Sequence, residues 1–516
     1  MEQIIIIGAG LAGLAAACTA AKKGRPCVLV SPQPSERTQS VLAEGGISAV
    51  VDVENTMEAE AFLADSNAVQ RMADAAPEII DWLQGLGVPF ASDGGMLSLR
   101  RMGGHYRANA AYAQNSIGKA IMAAMIDEAR KYEAEGLIER LSHHAFVQLL
   151  LADGVCAGCV VRDTYSDSLL NLCGSVILTS GGLSGLFGEY ATGTVQNTGK
   201  VTAVVFRQGV TLANLEFIQY HPTTISTPGK RLLVTEAARS EGGRLFVLRD
   251  GEPWYFMEEK YPALGNLMPR DVVAQEMAAL SQQTGCEGII YLDLTAVPAE
   301  TWQDRLADLK LLCSQTLHLD PQKEPVPVMP GIHYFMGGIL VDTEHQTNIR
   351  HLYAAGECAC QYHGANRLGG NSLLGALHGG ITAAKQAVAE GIPGENLFCT
   401  DVPSCDIANC LTSGEQRKVS SILANGLGII RTEEAITKAI GQLSEIRLAN
   451  NCCDELLLAD AMLRSALERR ESRGAHFRAD FPQMDDAYRK ITAATIDKDG
   501  IHINFLDIPA EWRTGQ

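Results

Sequence analysis

The sequence carries no surplus of positive charge. Lys and Arg number 42 against 60 acids, a net charge of −18. That balance disfavours nucleic acid and anionic membrane as partners, although a local cluster of Arg and His can still receive an anion. A second cysteine pair is also missing. Cys156-Ala157-Gly158-Cys159 is a single C-x-x-C among 14 scattered Cys, and a four-ligand zinc or iron–sulfur site needs partners that it lacks. Reduced, mostly buried thiols in a cytosolic protein without a metal site are the expectation. Long apolar runs are confined to one place, the uncharged residues 4–21. Met1-Glu2-Gln3 precedes that run without the Lys or Arg of a secretory n-region, so the expectation is a soluble intracellular protein with no direct membrane insertion. Internal repeats and low-complexity tracts are absent too.

What is present begins inside that same run. Ile4 to Ile7 form a buried strand by composition. They lead directly into Gly8-Ala9-Gly10-Leu11-Ala12-Gly13, which fits G-x-G-x-x-G, and then into an alanine-rich helix former. Gly8 permits the tight turn, Gly10 lets a pyrophosphate approach the backbone, and Gly13 lets helix and strand pack closely. Free N–H groups and the dipole at the helix N-terminus favour the anion. The 516 residues suffice for two to four units, and 46% hydrophobic and 20% charged residues are ordinary for a globular chain.

Pro26 to Val30 reads as the second strand of a βαβ unit. Ser31 stands at its end, where Asp or Glu often binds a ribose; a hydroxyl cannot hold two hydroxyls as a carboxylate does. Gly45-Gly46 and, after a strand at 176–180, Gly181-Gly182 add two glycine pairs suited to a large flat cofactor. Residues 56–140 are mainly helical by pattern, with a helix over Asn115 to Glu135. Arg100-Arg101-Met102-Gly103-Gly104-His105 reads either as one wall of an anion site or as a solvated turn. Short strands follow over 144–162. From about 221 to 332 the α/β rhythm breaks, as for an inserted domain. It resumes at Leu352 to Glu357; 395–414 reads as a linker and Gln416 to Arg473 as helical.

Five segments combine His, Arg and Glu with Gly or Pro: Gln219 to Thr223, Thr235 to Gly243, Pro269-Arg270-Asp271, His333 to Gly338, and Gly364 to Leu373. Singly each is ordinary. Together they supply two His and Arg367, whose planar fork suits carboxylates.

These motifs, with Ala43-Glu44-Gly45-Gly46 and Glu471 to Pro482, occur in an order that resembles the flavoprotein subunits of fumarate reductase and succinate dehydrogenase, together with the L-aspartate oxidases. The resemblance covers nearly the whole chain. It implies an α/β fold: a Rossmann-like FAD-binding domain in two segments (1–220 and 333–394), an inserted α+β capping domain (221–332) and a C-terminal helical domain (413–516). It implies that His221, His333 and Arg367 bind substrate carboxylates with help from Thr235. Arg270 would deliver a proton, and Glu236 and Arg239 would relay it from solvent. The FAD would rest on Gly8, Gly10, Gly13, Ser31, Gly45, Gly46, Gly181 and Gly182. Glu357 would bind the adenosine ribose, and Ser372 and Leu373 would lie near the flavin. Hydride would pass from flavin N5 to one alkene carbon. Arginine, with a solution pKa above about 12, can be the acid only toward a strongly basic carbanion in a water-poor pocket, with an acidic neighbour to reprotonate it.

Several residues depart from the family pattern. Gln39 stands where a His attaches FAD covalently, which implies noncovalent FAD, a lower potential and the fumarate-reducing direction. Glu44 replaces the usual Gln. Lys200 replaces a flavin-side Asp, and its charge would favour reduced anionic flavin. Phe335 replaces a smaller residue, which implies a tighter pocket. Met102 stands where L-aspartate oxidases carry the Glu that meets the substrate amine, which points to fumarate and succinate. His105 resembles the oxidases, so an L-aspartate oxidase making iminoaspartate is the alternative. The retained His and Arg set speaks against a third reading, an electron-transfer subunit without a substrate site. The implied partner is an iron–sulfur subunit or a soluble reductant. The implied location is the cytoplasm, or the inner face of the membrane through a partner.

Overall fold

The computed structural model describes residues 3–113, 116–281, 286–391, 393, 411–450 and 453–510; most of the expected 395–414 linker lies outside them. Strand β1 (Gln3–Ile7) is buried as its isoleucines require, and helix α1 (Leu11–Lys22) follows the glycine turn. Strand β2 (Cys27–Ser31) returns parallel to β1. The Ile138–Ser142 strand extends this sheet beyond β2, and the Leu169–Leu178 strand pairs parallel with the other side of β1. The C-terminal part of Leu169–Leu178 also pairs with Leu352–Ala354, while its N-terminal part enters an antiparallel meander with Val155–Asp163 and His144–Ala152. One seven-stranded sheet therefore joins residues from both sides of the inserted segment.

Small residues set the spacing of the layers. A Cβ on Gly13 would lie 1.9 Å from the Gly8 carbonyl oxygen. One on Gly380, in the helix Asn371–Glu390, would lie 2.2 Å from the Ala12 carbonyl oxygen. The alanine face of α1 lets these two helices cross in close contact, with their N-termini on the same cavity.

The inserted segment builds a six-stranded sheet of its own. Two neighbouring strands of it, Ile218–Thr227 and Val326–Phe335, pair antiparallel with Ile218 opposite Phe335 and His221 opposite Gly331. The chain thus enters and leaves the insertion on neighbouring strands, and both run through the expected limits at 221 and 332. A third sheet combines Leu212–Ala213, Gly338–Leu340 and Ala359–Cys360 with a C-terminal hairpin, Ile491–Asp497 and Gly500–Leu506. The C-terminal region is therefore helical only over its three helices, Ser413–Gly426, Glu433–Ala449 and Asp454–Glu468. The hairpin ends in the sheet because Ala493 and Ala494 bury against Leu212 and Ala213.

Candidate active site

A single cavity of about 390 Å³ runs from the glycine turn at Gly8 and Gly10 to a cluster of arginines. Ser31, Gly45, Gly46, Gly181, Glu357, Ser372 and Leu373 line it on the way; His221, Thr235, Glu236, Arg270, His333 and Arg367 close it. Gly13 and Gly182 lie outside the lining, and each makes room for a neighbour. A Cβ on Gly182 would fall 2.5 Å from the Glu357 carboxyl. The residues fit FAD. Gly8 adopts φ +119°, and any Cβ there would lie 2.2 Å from the Thr179 carbonyl oxygen. The N-terminus of α1 opens on the cavity beside it, as a pyrophosphate requires. Ser31 turns its hydroxyl into its own loop, donating to the Gln33 carbonyl at 2.6 Å.

The arginine cluster is held by one carboxylate and one amide. Arg270 Nη2 donates to Glu236 Oε2 at 2.6 Å, and Arg239 Nη2 donates to Glu236 Oε1 at 2.9 Å. Burial pushes the Glu236 carboxyl up, but Arg270 and Arg239 outweigh it and hold the group down to about 2. Gln219 Oε1 accepts from Arg270 Nη1 at 3.0 Å and from Arg367 Nε and Nη2 at 3.2 and 3.0 Å. The Gln219 amide is fixed in turn by Asn366 Oδ1 and the Arg367 carbonyl. Arg367 stacks 4.1 Å above the Tyr334 ring. Burial, then repulsion from Arg270, lowers its pKa to about 9.

Two histidines complete the wall. Their rings meet edge to face at 5.2 Å. Burial holds both well below the ordinary imidazole value, reinforced at His221 by Arg270 and at His333 by Arg367. His221 Nδ1 lies 3.0 Å from the Thr223 carbonyl oxygen, and its Nε2 is buried without a partner. His333 Nδ1 lies 2.8 Å from Thr192 Oγ1. Three guanidinium charges against one carboxylate leave the cluster two positive charges in excess, the complement of a dicarboxylate dianion.

A family model described as FAD binding domain matches residues 3–373, and one described as fumarate reductase flavoprotein C-term matches residues 448–512. The chain belongs to the fumarate reductase and succinate dehydrogenase flavoprotein family. It is a flavoprotein oxidoreductase that binds FAD, with FAD-binding, capping and C-terminal domains. It is 34% identical to a succinate dehydrogenase flavoprotein subunit of Bacillus subtilis, over 96% of this chain and 94% of that one. It is also 34% identical to an L-aspartate oxidase of Agrobacterium fabrum, over 94% and 92%. The E. coli quinol fumarate reductase protein FrdA superposes with a TM-score of 0.87 at 26% identity, covering 100% of this chain and 98% of that one. Among the described residues no helix is long and apolar enough to cross a membrane.

Set in this flavoprotein frame, the departures from the family pattern separate. Met102 is buried and lines the cavity; a Cβ on Gly45 would meet its Cε at 2.4 Å. Arg100 and Arg101 do not line it. Arg100 stacks on Tyr112 and Arg101 donates to the His105 carbonyl, so the loop adds Met102 to the wall but neither of its arginine charges. His105 also lies outside the lining, its Nε2 2.8 Å from the Gly369 carbonyl oxygen, within electrostatic reach of Glu236 and Arg270. The expected tightening by Phe335 does not occur, because its ring packs on Phe187 outside the lining. Gln39 lines the cavity and accepts from the Thr194 amide at 2.7 Å. Gln219 is the residue that motif reading passed over. It was legible only as the first letter of the Gln219-Tyr220-His221-Pro222-Thr223 segment; nothing local says that its side chain reaches two arginines 51 and 148 positions away.

Proposed function

We propose that the chain interconverts fumarate and succinate and works in the fumarate-reducing direction. The observation that carries this reading is Met102 on the wall of a pocket whose acidic acceptor is already engaged. Both oxygens of Glu236 are held by arginines, so an ammonium group at Met102 would lose its partner at a cost of about 1–3 kcal/mol. Glu44 also borders the cavity, but the charged groups acting on its carboxyl are Asp308 and Lys119, outside the arginine cluster. His105, the feature that favoured aspartate, is engaged by Gly369.

Bound FAD would supply or take up the hydride. Arg367, His221, His333 and Thr235 bind the two carboxylates in this reading. A carboxylate at His221 Nε2 requires the proton on that nitrogen, and the dianion's own charge favours the protonation that burial opposes. The excess positive charge stabilises the negative charge that develops on the substrate as hydride arrives. Arg270 gives its proton to the second alkene carbon, and Glu236 returns one from Arg239. Because Glu236 rests ionised between two guanidiniums, it holds Arg270 in place between turnovers and carries the proton only in transit. Glu357 joins the flavin half rather than the adenosine ribose. The Leu352–Ala354 strand just before it lies on the opposite side of β1 from Ser31, and the Glu357 Oε1 accepts from the backbone N–H of Phe335, two residues beyond His333. Gln39 leaves FAD noncovalent. Some relatives are named as subunits, which supports an electron-transfer partner for this chain.

Anaerobic assays test the reaction: fumarate with reduced viologen against L-aspartate with oxygen. Fumarate turnover with little aspartate oxidation is the expected result, and efficient aspartate oxidation overturns the reading. Arg270→Ala should lower fumarate reduction by roughly 10²- to 10⁴-fold. Acid precipitation should release all yellow colour into the supernatant; colour retained by the pellet would mean a covalent bond.

A further inference from the structure

Outside the arginine cluster the cavity lining holds one further arginine, Arg37, and one lysine, Lys200. Lys200 opens the helix Lys200–Arg207, its backbone N–H donating to Thr198 Oγ1 at 3.3 Å. Its side chain is exposed to the cavity and makes no ion pair among the described residues. Beside it Asn197 also lines the cavity, its Nδ2 buried without a hydrogen-bond partner. A Cβ on Gly181 would touch that nitrogen at 2.8 Å, so the amide sits against the glycine pair.

The fold places Lys200 toward one half of the cofactor. The Lys200–Arg207 helix packs on His144–Ala152, which follows directly on the strand whose Ser142 pairs with Ser31. His144, Ala145 and Phe146 line the cavity together with Val30, Ser31 and Gln33. In a dinucleotide fold the end of the second strand faces the adenosine side. Here that end is Ser31-Pro32-Gln33, with no charge of its own. A bound ADP moiety brings its two phosphate charges to the α1 N-terminus, and the cations that line the cavity outside the arginine cluster are Arg37, in the turn after β2, and Lys200.

We propose that Lys200, with the Asn197 amide, is the anchor for the ADP half of FAD. An ammonium placed as a point charge suits a phosphate oxygen, and the free Nδ2 donates a neutral hydrogen bond beside it. Lys200 thus acts on cofactor retention rather than on the charge of the reduced flavin. The inference rests on the FAD site and is independent of the substrate assignment.

Calorimetric titration of flavin-free protein with FAD and separately with ADP tests it. The apoprotein is obtained by acid release of FAD, so a covalent bond would show at that stage and be scored apart. Lys200→Met should weaken FAD and ADP alike by about tenfold and flatten the salt dependence of both. Lys200→Arg should stay within about threefold of the native protein, and Asn197→Ala should weaken ADP as well. Apoprotein melting temperatures, unchanged in Lys200→Met because the side chain is exposed, separate lost binding from lost fold. Unchanged ADP affinity overturns the proposal, as does a shift in the FAD potential with ADP binding intact. So does a salt-dependent loss found in Arg37→Met instead.

Discussion

A single amide oxygen holds two arginines in register. Gln219 Oε1 keeps Arg270 and Arg367 close despite their like charge. In Gln219→Leu both guanidiniums lose a buried acceptor, so KM for the dicarboxylate should rise roughly 10- to 100-fold, with a smaller change in kcat. Arg367 adds a pH limit. Its depressed pKa near 9 means that the free enzyme loses this cation as pH rises through 9. KM should therefore climb above that pH, measured by initial rates across pH 7–10; a flat KM would remove Arg367 from carboxylate binding. Glu60 is a different case. Its carboxyl is fully buried with both oxygens unpartnered, 4.0 Å from His363 Nδ1, and burial raises it well above the usual range. The folded state prefers the protonated acid, so this group costs stability as pH rises above its unfolded value near about 4.3. Glu60→Gln should melt above the native protein at pH 8 and close to it at pH 4, by calorimetry at both values.

At the scale of elements, two strands decide the site. Ile218–Thr227 carries Gln219 and His221, and Val326–Phe335 carries His333 and Tyr334. Their pairing brings the histidine rings into contact although more than a hundred residues separate them. The histidines and the strand character of each segment can be read locally. The pairing cannot, because it is interrupted by irregular registers between Gln219 and Tyr220 and between His221 and Thr224. The β1–α1 turn is the opposite case. Composition and glycine spacing announce it, and the Gly13 contact with Gly8 follows from the fingerprint. Gly13→Val should yield protein that lacks the flavin absorbance band, because its side chain would displace the turn. A fully loaded Gly13→Val would contradict the close-packing role.

Over the whole molecule, an acidic chain keeps its positive charge inside. The net charge of −18 coexists with a pocket two charges positive. Substrate selection is therefore local and should respond weakly to salt, since buried pairs are little screened. The thiols follow the same inside-out logic. Burial pushes Cys18, Cys27, Cys156 and Cys360 up to about 12, which leaves them unreactive in the folded state. Peptide mapping after thiol labelling should find these four unmodified natively and modified in guanidinium.

The sequence by itself determined the cofactor turn, the family and the inventory of charged groups, because each is written in contiguous residues whose spacing carries the chemistry. Tertiary structure alone decided which of those groups meet. It left Arg100, Arg101 and His105 outside the cavity lining, packed Phe335 behind it, and set Met102 on its wall. It also gave Gln219 two arginines to hold. The physical reason is that a motif specifies side-chain type and local direction, whereas contact across sheets depends on register, bulges and close glycine packing. Those are settled only when distant strands come together.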